Sequence, residues 1–487
     1  MAKYIASIEE LAPSLGSSPQ ADYILQYLKQ LGTETVVVED EYIDKDFIID
    51  YAKFFSRSHE SFERFTKRLH FFSFVFAEAE FEHELDIFKK NNGDNGVADI
   101  ESNGFISKLK ENYVGFIILK PILDENGDKL FGRTLLRLLE RCKNIYEKEK
   151  FLIKNNKVSL YGIPLNVSTL PFQVQDTAVA ACATTALWIA NNKLNELFGT
   201  PQLSPYEVTE IATNFVEKTR SFPTEGLTIE QMLKFLRNIN LDYDIINISY
   251  LKSVLKDATF SDKIKEKYGN LLNCVIPDAV KAFLDANIPL IVGVKLYNLN
   301  KKGLINDQEF HAVVISGYRQ NEKGVIQEIY VHDDQIGPYS PIKSAGDNNS
   351  FLEWNCGWEK YYNISKVEVD FLIIPVYPKM RFAFSKIHGL VMEERERFPA
   401  FVIDVHFTDV QDYKKDFLSM PIKNKINLLK KPMPRFLWIV GIYTRNFLAY
   451  EEVYDATSHY MRHMDTIDFY KLTYTGLCRN KSLEGGR

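Results

Sequence analysis

The segment QDTAVAACATTALW, from Gln175 to Trp188, carries the pattern that decides the central fold of this chain. It predicts a helix from Ala178 to Leu197 with its apolar residues along one face, and Gly199 follows as a stop signal. Cys182 falls in the opening turns of that helix, where unpaired N–H groups and the positive helix end favour a thiolate. Cys182 is therefore the candidate nucleophile, although an isolated cysteine on an alanine-rich helix is more often a buried structural residue.

A second segment, EFHAVVISGY from Glu309 to Tyr318, predicts an apolar strand with a histidine at its start. Strand alternation puts His311 on the same side as Val313 and Ile315, and Gly317 allows the chain to bend. A histidine at the start of a strand projects its ring into a cleft while the following residues anchor the backbone. His311 is therefore the candidate base, with a satisfied core histidine as the structural alternative.

The third segment, IYVHDDQIGPY from Ile329 to Tyr339, places carboxylates directly after another apolar strand. An acid there accepts the N–H of His311 and fixes the tautomer of the imidazole. We prefer Asp333 because it lies nearer the strand end, and Asp334 is the alternative acid. The structural alternative is a pair of turn-forming aspartates. His332 is expected to flank the site rather than react.

Gln175 is the candidate oxyanion donor, together with the backbone N–H of Cys182. Gln173 would point the same way in an extended segment, and a solvated polar residue is the structural alternative. His459 and His463 have the spacing of metal ligands on a helix, but no glutamate follows as in HExxH. We therefore expect no metal and no other cofactor.

Composition restricts the class of partner and the compartment. The net charge of −6 over 487 residues gives no argument for nucleic acid or an anionic membrane surface. The opening MAKYIASIEELAPSLG lacks the apolar run of a secretory signal, and no apolar stretch reaches the about 18 residues that span a bilayer. The five cysteines form no CxxC pair. These features predict a cytoplasmic protein with free thiols, and Cys356, between aromatic residues, is expected in the core.

The pattern divides the chain into an N-terminal α+β domain (residues 1–160), a central catalytic domain (161–365) and a C-terminal α+β domain (366–487). In the first, a helix is predicted at Asp46–Phe55, and a buried strand at Tyr113–Ile122 is expected to pair with a strand at Gly132–Leu136. In the second, helices begin at Ser204–Pro205 and at the Thr228–Gln231 capping box. A short helix is also predicted at Asp278–Ala286. The predicted strands of this domain are Asp242–Ile248, Pro289–Val294, His311–Ile315 and Ile329–Val331. In the third, strands are predicted at Asp370–Val376 and Phe436–Tyr443, and Phe447–Tyr454 is expected to return as the hairpin partner of the latter.

Together, Gln175, Cys182, His311 and Asp333 resemble the site of the papain-like cysteine peptidases, and within them the bacterial C39-like group. HAVVISGY is similar to the H-x-V-V-x-x-G-Y strand of that group, and the resemblance covers roughly residues 165–365. It implies an α+β fold in which a helical front half carries the nucleophile and an antiparallel sheet forms the back half. It also implies a Cys-His-Asp triad, with Gln175 supplying the oxyanion hole.

The sequence therefore predicts a cysteine hydrolase, foremost a peptidase that cleaves a peptide or isopeptide bond. The flanking domains are expected to select the substrate or to bind a protein partner. An acyltransferase or amidohydrolase on the same scaffold is the alternative enzyme, because sequence does not reveal the acyl acceptor. A further alternative is an inactive papain-like protein-binding module. It is favoured by Ala183, which stands where the family has glycine, and by a Gln175-to-Cys182 spacing one residue longer than the family's.

Overall fold

The computed structural model describes residues 4–59, 61–93, 104–124, 126–142, 147–176, 179, 181–214, 226–299, 305–346, 348–362, 364–419, 425–444 and 448–469. Within these ranges the chain is an α+β protein of helices and sheets, and the paired strands run antiparallel. None of the helices in these ranges combines the length and the apolar character needed to cross a membrane.

The first sheet runs in chain order through β1 (Ile5–Ser7), β2 (Thr35–Tyr42), β3 (Thr66–Phe72), β4 (Tyr113–Leu123) and β5 (Lys129–Leu136). The helices of this region are α1 (Ile8–Leu11), α2 (Pro19–Gln30), α3 (Lys45–Lys53), α4 (Glu78–Gly93) and α5 (Gly104–Glu111), with 3₁₀ turns at Ala12–Leu15 and Phe55–Arg57. The predicted helix near residue 46 and the predicted pairing of the strands that became β4 and β5 are both confirmed.

A second sheet closes on itself. Its strands are β9 (Asp242–Asn247), β10 (Leu290–Leu299), β11 (Ile305–Gln320), β12 (Ile326–Asp333), β13 (Gly337–Ser344), β14 (Glu353–Asn355) and β15 (Lys366–Val376). Because β10 pairs with both β11 and β15, the strands from β10 to β15 form a ring, and β9 adds to β15 on the outside. The sheet thus continues to Val376, past the predicted domain limit at residue 365.

The connection between the first and second sheets runs across residue 160. Strand β6 (Lys148–Phe151) pairs with β11 of the ring. The hairpin of β7 (Lys154–Leu160) and β8 (Ile163–Thr169) instead packs its alternate apolar residues into a core shared with the first sheet. The two regions are therefore interleaved in the chain at this point.

Helices cover the ring: α6 (Cys182–Phe198), α7 (Pro205–Thr213), α8 (Ile229–Asn238), α9 (Ile248–Lys256), α10 (Asp262–Asp285) and α11 (Trp358–Tyr361). The predicted signals at their ends are confirmed, since Ser204 and Thr228 form capping boxes and Gly199 is left-handed with φ 70°. The predicted start of α6 at Ala178 is wrong, because Ala181 is an extended N-cap residue and the helix begins at Cys182.

The prediction of a short helix at residues 278–286 is wrong, because α10 begins sixteen residues earlier, at Asp262. Pro277 lies inside this helix, where it removes one backbone hydrogen bond. Buried Leu272, Val275 and Ile276 stand just before the proline. Their packing holds the helix together across a residue that normally marks a helix boundary.

The C-terminal region consists of β16 (Val402–Asp409), β17 (Phe436–Tyr443), β18 (Leu448–Asp455) and β19 (His463–Asp468), with helices α12 (Phe384–Arg397), α13 (Val410–Ser419) and α14 (Lys425–Lys430). The predicted hairpin of β17 and β18 is confirmed, although Phe447 lies outside the described residues. One apolar core joins this sheet to the ring and to the first sheet, and it includes Phe71, Trp188, Val314 and Trp438.

Gly317 lies in β11 where that strand shifts register against β12 and pairs with Phe151 of β6. A Cβ there would stand 2.7 Å from Cδ1 of Phe151 and 2.8 Å from the backbone oxygen of Lys150. We expect Gly317→Ala to lower the free energy of unfolding by about 1–3 kcal/mol, since this overpacking meets backbone as well as side chain. Urea denaturation followed by tryptophan fluorescence measures it.

The matched control is Gly389→Ala in α12, where a Cβ would meet no heavy atom within 4 Å. Because alanine favours helix over glycine, this variant should be as stable as the parent or slightly more so. Equal losses in the two variants would show that the crowding at Gly317 is not the cause.

Candidate functional site

Cys182 is the first residue of α6, after the extended N-cap residue Ala181. The N-cap residue Ala181 has no side-chain acceptor, so it leaves the N–H groups of the first turn uncapped from its own position. The cysteine is half-buried, whereas the residues that follow it in the helix are buried. The helix thus holds the sulfur at the border between core and surface.

His311 lies in the middle of β11, opposite Val294 of β10, and its side chain is buried. The prediction that it opens the strand is wrong, because the polar stretch before it also pairs with β10, as Gln308 does with Tyr297. Those residues lack the apolar alternation that marks a strand in sequence, and Phe310 beside the histidine is exposed. Residues before and after His311 both pair with β10, and this pairing fixes the backbone that carries the ring.

The pKa of His311 is raised well above its ordinary value. Burial alone would lower this pKa, but the carboxylate of Asp333, a hydrogen bond with the Cys182 thiol and the charge of Asp334 outweigh it. The imidazole is thereby suited to hold a proton next to the sulfur. Since Nε2 of the ring is engaged by Asp333, Nδ1 is the nitrogen left for the thiol.

Asp333 is the last residue of β12, one strand away from His311. Its Oδ1 accepts the Nε2–H of His311 at 3.0 Å and the backbone N–H of Gln335 at 3.0 Å. Its Oδ2 accepts the indole N–H of Trp358 at 2.8 Å. Donors on both oxygens hold the carboxylate in one orientation, which in turn orients the imidazole.

Asp334 is a second buried carboxyl at the same ring. Its Oδ1 lies 3.6 Å from Nε2 of His311, and its Oδ2 has no hydrogen-bond partner among the described residues. Burial raises the pKa of Asp334 to about 7, with His311 opposing and Asp333 reinforcing the shift. The closer of the two contacts to the ring is thus made by Asp333.

Gln175 is half-buried, and its side chain makes no hydrogen bond to Cys182 within the described part of the chain. Residues 177, 178 and 180, between the two, lie outside that part. Gln173 is buried, and its Nε2 donor has no partner among the described residues. The structure therefore brings Cys182, His311, Asp333 and Asp334 together, but it does not join Gln175 to them.

Two charged residues hold the segment that leads into Cys182. Oδ1 of Asp176 accepts the backbone N–H of Val179 at 2.6 Å, and its Oδ2 lies 3.6 Å from Nζ of Lys120 in β4. Both side chains are buried. The first sheet is thus in direct contact with the loop before the nucleophile helix.

Trp358 is the residue at this site that the sequence did not reveal. Its ring packs edge-on against His311 with centroids 4.9 Å apart, and its N–H bonds Asp333. The ring of Tyr362 also packs against Trp358, tilted by 37° with centroids 4.7 Å apart. The WNCGW segment gave the only signal, but nothing in its spacing places this tryptophan opposite a histidine of another strand. The aromatic cover keeps water away from the His311–Asp333 hydrogen bond.

The remaining thiols are unlike Cys182 in their surroundings. Cys142 is exposed, and burial and Glu149 raise its pKa. Burial raises the pKa of Cys274 and of Cys356 to about 12. Cys478 lies outside the described residues. Among the described cysteines, only Cys182 interacts with the His311 ring.

His332 is a structural histidine. Its Nδ1 bonds the hydroxyl of Ser316 at 2.8 Å, and its Nε2 donates to the carbonyl of Leu170 at 3.2 Å. Burial lowers the pKa of His332 to about 3, so the ring is neutral at ordinary pH. It ties β12 to the segment before α6 rather than taking part in proton transfer.

Two groups of described side chains bring potential metal-ligand atoms within 4.8 Å of one another: His311 with Asp333 and Asp334, and Cys274 with Asp278 and His388. In the second group, Arg395 already pairs with both carboxylate oxygens of Asp278. His459 and His463 do not share a helix, since His463 begins β19 and His459 lies before it.

Comparison of the sequence with models of known protein families and with curated proteins gave no match.

Proposed function

We propose that the protein is a papain-like cysteine peptidase in which Cys182, His311 and Asp333 form the catalytic triad. The observation that carries the proposal is the position of the His311 ring, which is hydrogen-bonded to Asp333 and lies close enough to Cys182 for the thiol to raise the pKa of the imidazole. A nucleophile, a base and an acid that orients the base are the parts that acyl transfer needs.

The architecture supports the same proposal. A helix begins at the cysteine and packs against the antiparallel strand β11, which carries the histidine, and the adjacent strand β12 ends at the acid. Each triad member thus sits on a different rigid element. This arrangement matches the order of elements that the resemblance to papain-like peptidases implies, and such elements hold a site more precisely than loops do.

In the proposed reaction, the Cys182 thiolate attacks the carbonyl carbon and the C=O π electrons move to oxygen. The His311 imidazolium gives its proton to the leaving amine as the C–N bond breaks, which leaves a thioester on the sulfur. A water molecule then loses a proton to His311 and attacks the thioester, and the carboxylic acid departs as the thiolate returns. The backbone N–H of Cys182 and the amide of Gln175 are the proposed oxyanion donors.

Thiol alkylation tests the proposal without a known substrate. At about pH 5.5, iodoacetamide should modify Cys182 well before the exposed Cys142, because a thiolate paired with an imidazolium reacts where an ordinary thiol hardly does. His311→Ala should slow alkylation of Cys182 by about tenfold or more, since it removes the counter-charge. Mass spectrometry of peptides over a time course gives the rate at each cysteine.

Cys142→Ala is the matched control and should leave the rate at Cys182 unchanged. If Cys182 alkylates no faster than Cys142 in the folded protein, the thiol is not activated and the protein is not a cysteine hydrolase.

A further inference from the structure

A cleft of roughly 650 Å³ opens away from the thiol, between the first sheet, the β7–β8 hairpin and α6. Asn192 marks its α6 side, ten residues along the helix from Cys182 and so about 15 Å along the helix axis. The cleft is therefore separate from the His311–Asp333 site. Its size suits a small molecule rather than a polymer chain.

The lining of this cleft is strongly cationic. Five cationic residues line it: Lys45, Arg68, Arg133, Lys154 and Lys157. Two acids also line it, Glu39 and Asp44. The excess of positive charge stands out in a chain whose net charge is −6. Such a concentration of one sign in a concave surface attracts ligands of the opposite sign.

Two of these cations, Arg133 and Lys154, lack a full set of partners among the described residues, although Nζ of Lys154 donates to the backbone carbonyl of Asn192 at 3.3 Å. Arg68 is paired with Glu39, and one end of Arg133 is paired with Asp46 at 2.6 Å. The Nε donor of Arg133 is nevertheless buried without an acceptor among the described residues. Burial lowers the pKa of Lys154, and the nearby charge of Arg133 lowers it further. An anion between Lys154 and Arg133 would accept a hydrogen bond from the Nε donor of Arg133. It would also offset the repulsion between the two positive charges.

Neutral donors and aromatic rings complete the lining. The carboxamides of Asn155 and Gln202 add neutral polar groups to the lining, and the rings of Tyr42 and Tyr161 border the cleft. The amide of Asn156 is already used, since its Nδ2 donates to backbone carbonyls of the hairpin. The guanidinium of Arg68 lies 4.0 Å from the centroid of the Tyr42 ring, which holds it in place. Fixed guanidinium groups with amide donors match the geometry of phosphate oxygens.

We propose that this cleft is a binding site for a small molecule that carries two or more phosphate charges. The site is independent of the proposed peptidase activity. Lys154 and Lys157 of the hairpin and Arg133 of the first sheet supply the charge, and Asn192 of α6 closes the far side. Binding there would bridge the first sheet and the helix that carries Cys182.

Isothermal titration with inorganic tripolyphosphate, at about 50 mM salt, tests the site on the full chain. We expect saturable binding of one tripolyphosphate per chain, and a double variant Lys154→Met with Lys157→Ser should weaken it by about tenfold or more. The matched control Lys29→Met with Lys67→Ser removes two exposed lysines that do not line the cleft, so binding should be unchanged. Equal weakening in both variants would show non-specific attraction and overturn the proposal.

Lysine acetylation of the unaltered protein gives a second measurement that does not depend on the variants folding. Tripolyphosphate should protect Lys154 and Lys157 from acetic anhydride, while Lys29 and Lys67 react as before. Absence of titration heat together with equal acetylation of all four lysines would rule the site out. Neither result bears on the reactivity of Cys182, so this proposal and the peptidase proposal fail separately.

Discussion

Cys182→Ala is expected to lower the rate of peptide hydrolysis by about 10⁴-fold or more, to the level left by binding and oxyanion contacts alone. The variant removes the atom that forms the thioester, and no other described thiol interacts with the His311 ring. A peptide library digested by the purified protein and read by mass spectrometry identifies substrates, and a single cleaved peptide then gives kcat/KM for each variant.

The loss should occur without loss of structure, because the cysteine is half-buried at a helix start and alanine fits there. Circular dichroism and the thermal unfolding midpoint check this. Cys142→Ala, at the exposed thiol, should keep full activity. Cleavage of the same peptides by Cys182→Ala at an unchanged rate would place the activity elsewhere in the chain.

The elements of the central region could be predicted where their signals are local. The capping boxes at Ser204 and Thr228 and the left-handed Gly199 depend on residues within one helical turn, so sequence alone identifies them. The antiparallel pairing of β17 with β18 follows from two adjacent apolar runs. These features need no knowledge of the distant chain.

Features fixed by distant contacts were beyond such prediction. The ring of strands closes because β10 pairs with β15, and the two are more than sixty residues apart in sequence. The start of β11 is polar and becomes strand only through its pairing with β10. In sequence, Pro277 indicates a helix boundary. Helix α10 continues through it because the residues around the proline pack against the core.

The candidate site shows the same division. Residue type and order along the chain suggested Cys182, His311 and a carboxylate, since thiol, imidazole and acid are distinctive chemical groups. The order of residues gave only a small preference for Asp333 over Asp334. Which of two adjacent side chains points toward His311 depends on how the chain leaves the strand, and sequence does not show that. Trp358 carries no acid–base chemistry, so its contact with His311 could come only from the folded chain.

Asp333→Asn is expected to lower kcat/KM by about 10⁴-fold, the second large effect. Oδ1 of Asp333 accepts from His311, and Oδ2 accepts from Trp358. Asparagine keeps one acceptor oxygen, so an N–H group of its amide must face either the imidazole or the indole. If it faces the imidazole, the ring takes the wrong tautomer and no longer accepts a proton from Cys182.

Asp334→Asn is the matched control, one residue away and with the same change of side chain. Its carboxyl makes only the longer contact of 3.6 Å with His311, so we expect less than about a tenfold fall in kcat/KM. The same peptide substrate serves for both variants. A large loss in Asp334→Asn with a small one in Asp333→Asn would reassign the orienting acid to Asp334.

The pH dependence of stability tests the raised pKa of Asp334. In the folded protein the pKa of Asp334 is raised to about 7 from an ordinary value of 3.8, so the folded state binds this proton more tightly than the unfolded state. The contribution of Asp334 to stability therefore falls as pH rises from about 4 to above 7, with a slope on the order of 1 kcal/mol per pH unit. An asparagine side chain has no charge to bury, so Asp334→Asn should gain stability over the parent, more at pH 8 than at pH 5. If the free energy of unfolding changed equally with pH in the parent and in Asp334→Asn between pH 5 and pH 8, a group other than Asp334 would hold the proton.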